Sequence, residues 1–338
     1  MRLRKPVIEM PERRALLLAA TALPAALLSR RLHAAESAES AEPVESDGRI
    51  VIRDALGEHA FDRPPERAVA LQWDILENVV GCGVTPVGAA DIKPWDEWVR
   101  TPALPRGVTD VGTRAEPNLA RIASLHPDVI LVGPTQADLI ARLGAIAPTL
   151  VFDNSRADAP QGEAETAVAQ FRELGRLFGR QAQAEARLAR IDAELDALKK
   201  RLEAVFPTLP SVQVIRFSTL TTAFIYTPNS ITDWTVRRLG MRQPLTAPPA
   251  AYGLVQRRLR DLKHLTDAHV LWVRPFSQER KLRESVLWQA LPFVRRGLTG
   301  PAEPFWSHGG ALSILETARS ITEGLVRIAS AQGRGGAS

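Results

Sequence analysis

The side chains that most often carry chemistry are few in this sequence, and their spacing matches no common catalytic or metal-binding pattern. The six histidines, at positions 33, 59, 126, 264, 269 and 308, include no i, i+3 or i, i+4 pair, which a helical metal site would need. The single cysteine, Cys82, cannot form an internal disulfide and is expected to be a small buried apolar residue. Gly-rich phosphate loops, Gly-x-Ser-x-Gly and His-Glu-x-x-His do not occur in the sequence. These observations favour a binding protein over an enzyme.

Aromatic and polar side chains do occur beside or after short apolar runs. Residues 306–310, Trp-Ser-His-Gly-Gly, form a polar and aromatic segment ahead of an amphipathic one. On placement alone, the candidates for the wall of a binding cleft are Trp73, Tyr226, Trp306 and His308. In parallel α/β folds, ligands bind at the carboxyl edge of the sheet, so we expect such side chains to meet there.

The elements that must position these side chains alternate between short apolar runs and amphipathic segments. In the first half of the chain, strands are predicted over 68–71, 84–88, 129–132 and 149–152, and helices over 73–80, 119–125 and 137–146. In the second half, strands are predicted over 212–217, 223–226 and 270–273, and helices over 231–239, 284–291 and 312–328. This alternation is typical of βαβ units around a parallel sheet. It predicts an α/β protein with two Rossmann-like lobes.

A helical segment separates the two halves. Residues 163–202 contain no proline, and their apolar positions recur at spacings of three and four, at Leu188, Ile191, Leu195, Leu198 and Leu202. A coiled-coil arm is the alternative, but Gly179 divides the segment and leaves fewer than four clean heptads. A helix over residues 180–202 would be about 35 Å long, roughly the diameter of a domain. We therefore predict one stiff helix that joins the lobes.

The excess basic charge of the sequence lies at its N-terminus. Residues 1–34 hold seven Arg or Lys and two acidic residues, and the rest of the chain has 36 basic and 36 acidic side chains. This balance removes the main electrostatic signature of a nucleic-acid-binding protein. Arg13-Arg14 precede a 14-residue apolar run, too short for a membrane helix, which predicts a signal peptide of the twin-arginine type, with a general secretory signal as the alternative. The mature protein is therefore expected to be soluble in the periplasm.

Several stretches resemble one known family. Residues 110–119 have the sequence Asp-Val-Gly-Thr-Arg-Ala-Glu-Pro-Asn-Leu, and Pro-Asp with an apolar run follows at 127–132. This pattern resembles the ligand loop and helix of periplasmic iron-siderophore binding proteins of ABC importers, in particular those for ferric hydroxamates of the ferrichrome type. The second lobe of that family is similar to residues 228–230, 287–295 and 306–313, so the resemblance covers about residues 49–330. It implies two lobes joined by one long helix, with modest closure, and ligand capture without catalysis.

The resemblance also implies roles for individual residues. Arg114 matches the arginine that reaches the hydroxamate oxygens, with an exposed arginine paired to Glu116 as the alternative. Trp98 matches an aromatic wall residue, Tyr252 falls where the family has a pocket tryptophan, and Gln136 stands where it has a ligand-contacting tyrosine. A core position is the alternative for Trp98. The siderophore itself would supply the oxygens around iron(III), so neither a cofactor nor a protein metal ligand is expected.

Docking to an inner-membrane permease is expected to use one acidic residue of each lobe. The resemblance indicates Asp138 in the first lobe and Glu279 or Glu284 in the second, with ordinary solvated charges as the alternative. Besides the iron-hydroxamate siderophore, another iron chelate, haem or cobalamin is an alternative ligand for what we expect to be a monomer. An extracytoplasmic enzyme acting on the chelate is the alternative from another class, with Cys82 and His308 as its catalytic candidates.

The predicted organisation has six parts. These are a signal peptide (1–34), a flexible linker (35–48), an N-terminal α/β lobe (49–160), a helical connector (161–206), a C-terminal α/β lobe (207–330) and a disordered tail (331–338).

Overall fold

A computed structural model describes residues 48–159 and 161–335. The predicted signal peptide, and the predicted linker as far as residue 47, lie outside the described residues. The strands are β1 (Ile50–Arg53), β2 (Glu58–Phe61), β3 (Ala68–Ala70), β4 (Gly88–Ala89), β5 (Thr109–Asp110), β6 (Val129–Val132), β7 (Thr149–Val151), β8 (Val212–Phe217), β9 (Thr222–Tyr226), β10 (Leu254–Arg258), β11 (His269–Val273) and β12 (Thr299–Ala302).

The α-helices are α1 (Trp73–Gly81), α2 (Trp95–Trp98), α3 (Leu119–Ser124), α4 (Ile140–Gly144), α5 (Gly162–Leu177), α6 (Gln181–Val205), α7 (Ile231–Arg238), α8 (Glu279–Arg283), α9 (Val286–Gln289), α10 (Pro292–Arg295) and α11 (Ala311–Gly335). Short 3-10 helices cover Pro134–Leu139, Ala251–Gly253 and Leu259–His264. Within residues 48–159 and 161–335, none of the helices has the length and apolar character needed to cross a membrane.

The first lobe is built on five parallel strands in the order β5-β4-β3-β6-β7. The central strands β3 and β6 contain only Ala, Val, Ile and Leu, and every one of their residues is buried, because helices cover both faces of a parallel sheet. Between β3 and β6 the strand order reverses direction. At such a switch point, α/β sheets open a crevice at their carboxyl edge.

The second lobe contains a mixed sheet, so the prediction of a second parallel sheet was wrong. Its order is β10-β9-β8-β11-β12, in which β8, β11 and β12 are parallel while β9 is antiparallel to both β8 and β10. The physical reason is the length of one connection. Only residues 218–221 join β8 to β9, and so short a connection can join only antiparallel strands.

Several predicted boundaries also needed correction. The strand predicted over 84–88 is confined to β4, and the helix predicted over 137–146 begins as the 3-10 helix Pro134–Leu139. The helix predicted over 284–291 is interrupted, because the side chain of Ser285 accepts a hydrogen bond from the Trp288 N–H and starts α9 as a new helix. At the C-terminus α11 continues to its last described residue, so residues 331–335 are helical, not part of a disordered tail.

Two helices, α5 and α6, occupy the predicted connector. The 25 residues of α6 span about 38 Å. α5 packs against α1 and β1 on the first-lobe side and against α7 on the second-lobe side. One continuous apolar core runs through both lobes and the connector, from Ile52 to Ile328. Because the lobes share this core, we expect them to move little relative to each other.

Candidate functional site

A cleft of about 310 Å³ lies at the carboxyl edge of the first sheet, facing the second lobe. Every strand of that sheet is followed by at least one residue that lines the cleft. After β3, β4, β5, β6 and β7 these include Gln72, Asp91, Arg114, Thr135 and Asn154. The second lobe contributes Tyr252, Trp306 and His308. The cleft is therefore where a parallel sheet with this strand order is expected to bind a ligand.

The guanidinium of Arg114 is stacked on aromatic rings in this cleft. Its Cζ lies 4.2 Å from the centroid of Trp73 and 5.4 Å from that of Trp306. Asp91 holds it from one side, because the Arg114 Nε and backbone N–H both donate to Asp91 Oδ2, at 2.8 and 3.1 Å. The ion pair is thus with Asp91, not with Glu116. Within the described part of the chain no group accepts from its terminal nitrogens, so these planar donors are available to oxygens of a ligand.

Gln136 lies behind Arg114 and does not line the cleft. It is fully buried; its Nε2 donates to the Arg114 carbonyl oxygen and its Oε1 accepts from the Gly133 N–H at 3.0 Å. The amide therefore fixes the ligand loop to the loop after β6. Asp91 is not among the site residues predicted from the sequence. The signal that could have found it is its position, an acidic residue just after a strand at the carboxyl edge.

The start of α11, directly after the segment 306–310 of the second lobe, is held in place by the first lobe. Asn78 Oδ1 on α1 accepts from the Ala311 N–H at 2.9 Å, and the Glu77 carboxylate accepts from the N–H and Oγ of Ser313, each at 2.6 Å. These bonds satisfy N–H groups at the first turn of α11, which have no partner inside the helix. Neither Glu77 nor Asn78 was a predicted site residue, because they are more than 230 residues away from these partners in the sequence.

Two glycines let this segment approach α1. A Cβ on Gly310 would lie 2.2 Å from Asn78 Oδ1 and 2.7 Å from the carbonyl oxygen of Asp74. A Cβ on Gly309 would lie 1.9 Å from the hydroxyl oxygen of Ser313. No side chain fits at either position without displacing the groups that hold α11. The Gly-Gly pair is therefore a requirement of the contact between the lobes.

Aromatic rings form most of the second-lobe wall. Trp306 meets Trp73 and Trp98 edge to face, at centroid distances of 4.8 and 6.2 Å. His308 lies 5.5 Å from Trp306 and 5.7 Å from Tyr252, again with rings nearly perpendicular. Tyr252 is 47% exposed, so much of its ring faces solvent. Such a wall offers flat apolar surface to the organic part of a ligand.

His308 is a neutral imidazole. Burial, together with the charges of Arg216 and Arg114, lowers its pKa to about 4. The buried Nδ1 has no hydrogen-bond partner among the described residues. His308 can therefore offer one N–H donor and one nitrogen acceptor at the cleft, and it adds no charge at neutral pH.

Three carboxyl groups near the junction of the lobes are protonated more readily than usual. Burial raises the pKa of Asp74 to about 7, that of Glu77 to about 7 and that of Glu163 to about 8. Glu163, at the start of α5, accepts a hydrogen bond from the Ile231 N–H at the start of α7 through Oε2. Its Oε1 is buried without a partner in the described structure. The junction therefore contains carboxyl groups whose charged form is destabilised by burial.

The remaining predicted wall residues lie deeper. Trp73 and Tyr226 are each 2% exposed, and Trp73 forms the floor beneath Arg114. Trp98 is partly buried and its ring is covered by Arg216 of the second lobe, whose Cζ is 4.3 Å from the ring centroid.

Cys82 is 1% exposed, and burial raises its pKa to about 12, which disfavours the thiolate that a catalytic nucleophile needs.

The predicted docking residues differ in their surroundings. Asp138 and Glu284 are exposed. Glu279 is only partly exposed and forms a bidentate ion pair with Arg274, with N–O distances of 2.8 and 2.7 Å, which lowers the pKa of Glu279. Its carboxylate is therefore already neutralised within the second lobe.

Metal-binding clusters are missing from the described structure: nowhere in residues 48–159 and 161–335 do three or more His, Cys, Asp or Glu side chains form a group that could hold a metal ion.

Comparison with known proteins identifies the family. Residues 69–258 match the family described as periplasmic binding protein. The iron(3+)-hydroxamate-binding protein FhuD of Escherichia coli (strain K12) is 27% identical over 267 residues, which cover 78% of this chain and 88% of that protein. The Fe(3+) dicitrate-binding periplasmic protein FecB of the same organism is 24% identical over 265 residues, covering 72% of this chain and 79% of FecB.

Solved structures agree with this assignment. The Fe3+-Desferal-bound siderophore binding protein FhuD from Vibrio cholerae is 42% identical, with a TM-score of 0.76 over 78% of this chain and 98% of that one. SirA of Staphylococcus aureus, complexed with staphyloferrin B, shares the fold at 21% identity, with a TM-score of 0.60 over 81% of this chain and 98% of the other. The resemblance found in the sequence is thereby confirmed, and the chain belongs to the periplasmic binding protein family.

Proposed function

We propose that this protein captures an iron(III)-hydroxamate siderophore in the cleft between its lobes and delivers it to the permease of an ABC importer. The relatives named above support this ligand class, since FhuD of E. coli is an iron(3+)-hydroxamate-binding protein and FhuD of V. cholerae holds Fe3+-Desferal. The family consists of binding proteins, and we propose no catalytic step for this chain.

The observation that carries the proposal is the geometry of Arg114. Stacked 4.2 Å from Trp73 and held by Asp91, its guanidinium is fixed before any ligand arrives. Hydroxamate oxygens bound to iron(III) retain partial negative charge, which planar N–H donors match. A preorganised donor loses little conformational entropy on binding. Trp306, His308 and Tyr252 then pack against the organic shell of the siderophore from the second lobe.

Iron stays with its chelator in this mechanism. The siderophore fills the coordination sphere of iron(III), and the protein binds the outside of the complex. The surroundings of the cleft suit such a task, because they combine one fixed cation, a neutral imidazole and aromatic rings. Haem and cobalamin, the other ligands considered, would present different outer surfaces and are outcomes of the binding test below.

Delivery would use exposed carboxylates on both lobes. We propose Asp138 on the first lobe and Glu284 on the second, since both are exposed. Glu279 is the weaker second-lobe candidate, because Arg274 already occupies both of its carboxylate oxygens.

Export is proposed to use the twin-arginine route. Replacing Arg13 and Arg14 by lysine keeps the charge and removes the recognised pair, so periplasmic protein should fall sharply in a fractionation assay. Undiminished export of the double-lysine variant would assign the chain to the general secretory route.

A thermal-shift screen tests the proposed ligand class directly. The purified mature chain would be mixed with ferric hydroxamates, a ferric catecholate, haem and cobalamin, because a ligand that binds only the folded protein raises its Tm. We expect the ferric hydroxamates to give the largest shift and the iron-free hydroxamates a smaller one. A larger shift with haem or cobalamin would overturn the proposal, and recovery of chemically altered siderophore would indicate an enzyme.

A further inference from the structure

A second arginine is stacked on a tryptophan beside the cleft, and it comes from the opposite lobe. Arg216 lies on β8, and its Cζ is 4.3 Å from the ring centroid of Trp98, which ends α2 in the first lobe. Trp306 contacts both Trp98 and Trp73. Arg114 and Arg216 therefore stand on one cluster of three tryptophan rings, and each lobe provides one of the two cations.

The position of Arg216 on its strand is fixed by alternation. Val212 and Val214 on β8 belong to the core that both lobes share, whereas Ile215 and Phe217 belong to a separate core on the other face of the sheet. Arg216 shares its face with Val212 and Val214, so its side chain is directed towards the junction of the lobes.

The two arginines differ in how their charge is balanced. The charge of Arg114 is balanced by Asp91, but among residues 48–159 and 161–335 no carboxylate or carbonyl oxygen is within hydrogen-bonding or ion-pairing distance of the Arg216 guanidinium. The positive charge of Arg216 acts to lower the pKa of His308, which is neutral, and the pKa of the Tyr226 hydroxyl. The carboxyl of Asp74 senses Arg114 instead. A partly buried guanidinium without a counter-charge is unfavourable, because the contact with the Trp98 ring replaces only part of the hydration that burial removes.

We infer that Arg216 is a second ligand-binding cation, and that it selects iron(III)-hydroxamate complexes carrying an additional negative group such as a free carboxylate. This inference rests on the proposed function. An iron(III) ion bound by three hydroxamates has no net charge, so it would leave the charge of Arg216 unbalanced. A carboxylate on the organic shell would supply the missing counter-charge. Stacking on Trp98 occupies the face of the guanidinium and directs its N–H edge away from the ring.

The test uses three ferric complexes that share one hydroxamate core. Desferal carries a free amine, so its ferric complex is positive; acetylation of the amine makes the complex neutral, and succinylation makes it negative. Affinities would be measured by quenching of the intrinsic tryptophan fluorescence. In the parent protein we expect the succinylated complex to bind about 10-fold more tightly than the acetylated one, since a charge-assisted pair of this kind is worth roughly that factor. The unmodified complex should bind most weakly.

Three variants of the protein are measured with the same series of complexes: one removes the charge of Arg216, and the other two are controls. Arg216→Gln should remove the preference, leaving the acetylated and succinylated complexes within about 3-fold of each other. Arg216→Lys keeps the charge and should retain most of the preference. Arg242→Gln makes the same charge change at an exposed position beside Val212, the other end of β8, and should behave like the parent protein.

The outcomes separate this inference from the proposed function. If the parent protein binds all three complexes with equal affinity, or if Arg216→Gln keeps the preference, the role of Arg216 is refuted while the ligand class stands. If none of the three complexes binds to the parent protein, the proposed function itself fails. Thermal unfolding of each unliganded variant checks that loss of preference does not reflect loss of the fold.

Discussion

The two sides of the cleft are held in place in different ways. On the first-lobe side, Arg114 is fixed from within its own lobe, by Asp91 after β4 and by Gln136 after β6. On the second-lobe side, Ala311 and Ser313, directly after the segment 306–310, are fixed by the other lobe through Asn78 and Glu77 on α1. The first side can therefore be completed by the folding of one sheet. The second side is completed only when the lobes are packed together.

This difference separates affinity from stability. A change at Arg114 removes contacts to the ligand and the stacking on Trp306, but it leaves the hydrogen bonds between the lobes intact, so it should lower affinity with little effect on the fold. A change in the segment 306–310 alters the first turn of α11, a helix that packs against α1, α5, α6 and α7. Such a change should lower the free energy of unfolding as well as affinity.

The largest effect is expected from Gly310→Ala. The added methyl would meet Asn78 Oδ1 and the Asp74 carbonyl oxygen, both closer than any real Cβ contact. Overpacking of this kind costs about 1–3 kcal/mol, and a backbone carbonyl among the atoms displaced favours the upper end of that range. Denaturant unfolding of the unliganded protein measures the loss. Gly144→Ala is the control, because a Cβ there would meet nothing within 4 Å in the described structure apart from its chain neighbours and the backbone of its own helix. A Gly310→Ala protein as stable as the parent would contradict the described contact between the lobes.

Arg114→Ala should mainly change affinity. Hydrogen bonds to charged groups contribute about 1.5–3 kcal/mol, so ferric-hydroxamate binding should weaken roughly 10- to 100-fold. The ion pair with Asp91 is partly exposed and adds only modestly to stability, so the free energy of unfolding should fall by about 1 kcal/mol or less. Arg121→Ala, an exposed arginine on α3, is the matched control. Unchanged affinity in a fluorescence titration would mean that the ligand oxygens are held elsewhere.

The junction of the lobes should also respond to pH. The pKa of Glu163 is about 8 in the folded protein, above its usual 4.5, so the folded state binds more protons than the unfolded state between these values. The free energy of unfolding should therefore fall as pH rises from about 5 to about 8. Glu163→Gln should make this slope shallower. Between pH 5 and pH 8 its free energy of unfolding should fall by at least about 1 kcal/mol less than that of the parent protein. Glu165→Gln, an exposed neighbour on α5, should keep the slope of the parent protein. Equal slopes for all three proteins would show that Glu163 does not titrate with folding.

The smallest effect on the isolated protein is expected from the docking residues. Asp138→Lys combined with Glu284→Lys should impair siderophore uptake by cells, because charges at the rim of an interface govern encounter with the partner. Affinity for the siderophore and the free energy of unfolding should stay within error of the parent values, since both residues are exposed. Glu203→Lys, an exposed acidic residue at the end of α6, serves as the transport control. Normal uptake by the double variant would remove these residues from the docking surface.

The predictions from the sequence succeeded where local pattern carries the information. The apolar runs at 129–132 and 212–217 became β6 and β8 at their predicted bounds, and the spacing of leucines over 188–202 predicted α6. The predictions were less successful where the length of a connection sets the strand direction or where a capping residue sets the start of a helix. The second sheet is mixed because of one short turn, and Ser285 divides a predicted helix by capping α9.

For the site, local sequence pattern was enough to predict the strand before Trp73 and the aromatic segment 306–310 ahead of α11. That pattern placed Trp306 and His308 among the candidates, whereas Arg114 became a candidate through the family resemblance of residues 110–119. No sequence pattern predicted that Asp91 pairs with Arg114, that Gln136 is directed away from the cleft, or that Arg216 of one lobe is stacked on Trp98 of the other. The physical reason is that periodicity and turn chemistry act over a few residues. The partner of a side chain, in contrast, depends on which distant segments are packed beside it, and only the assembled lobes bring those segments together.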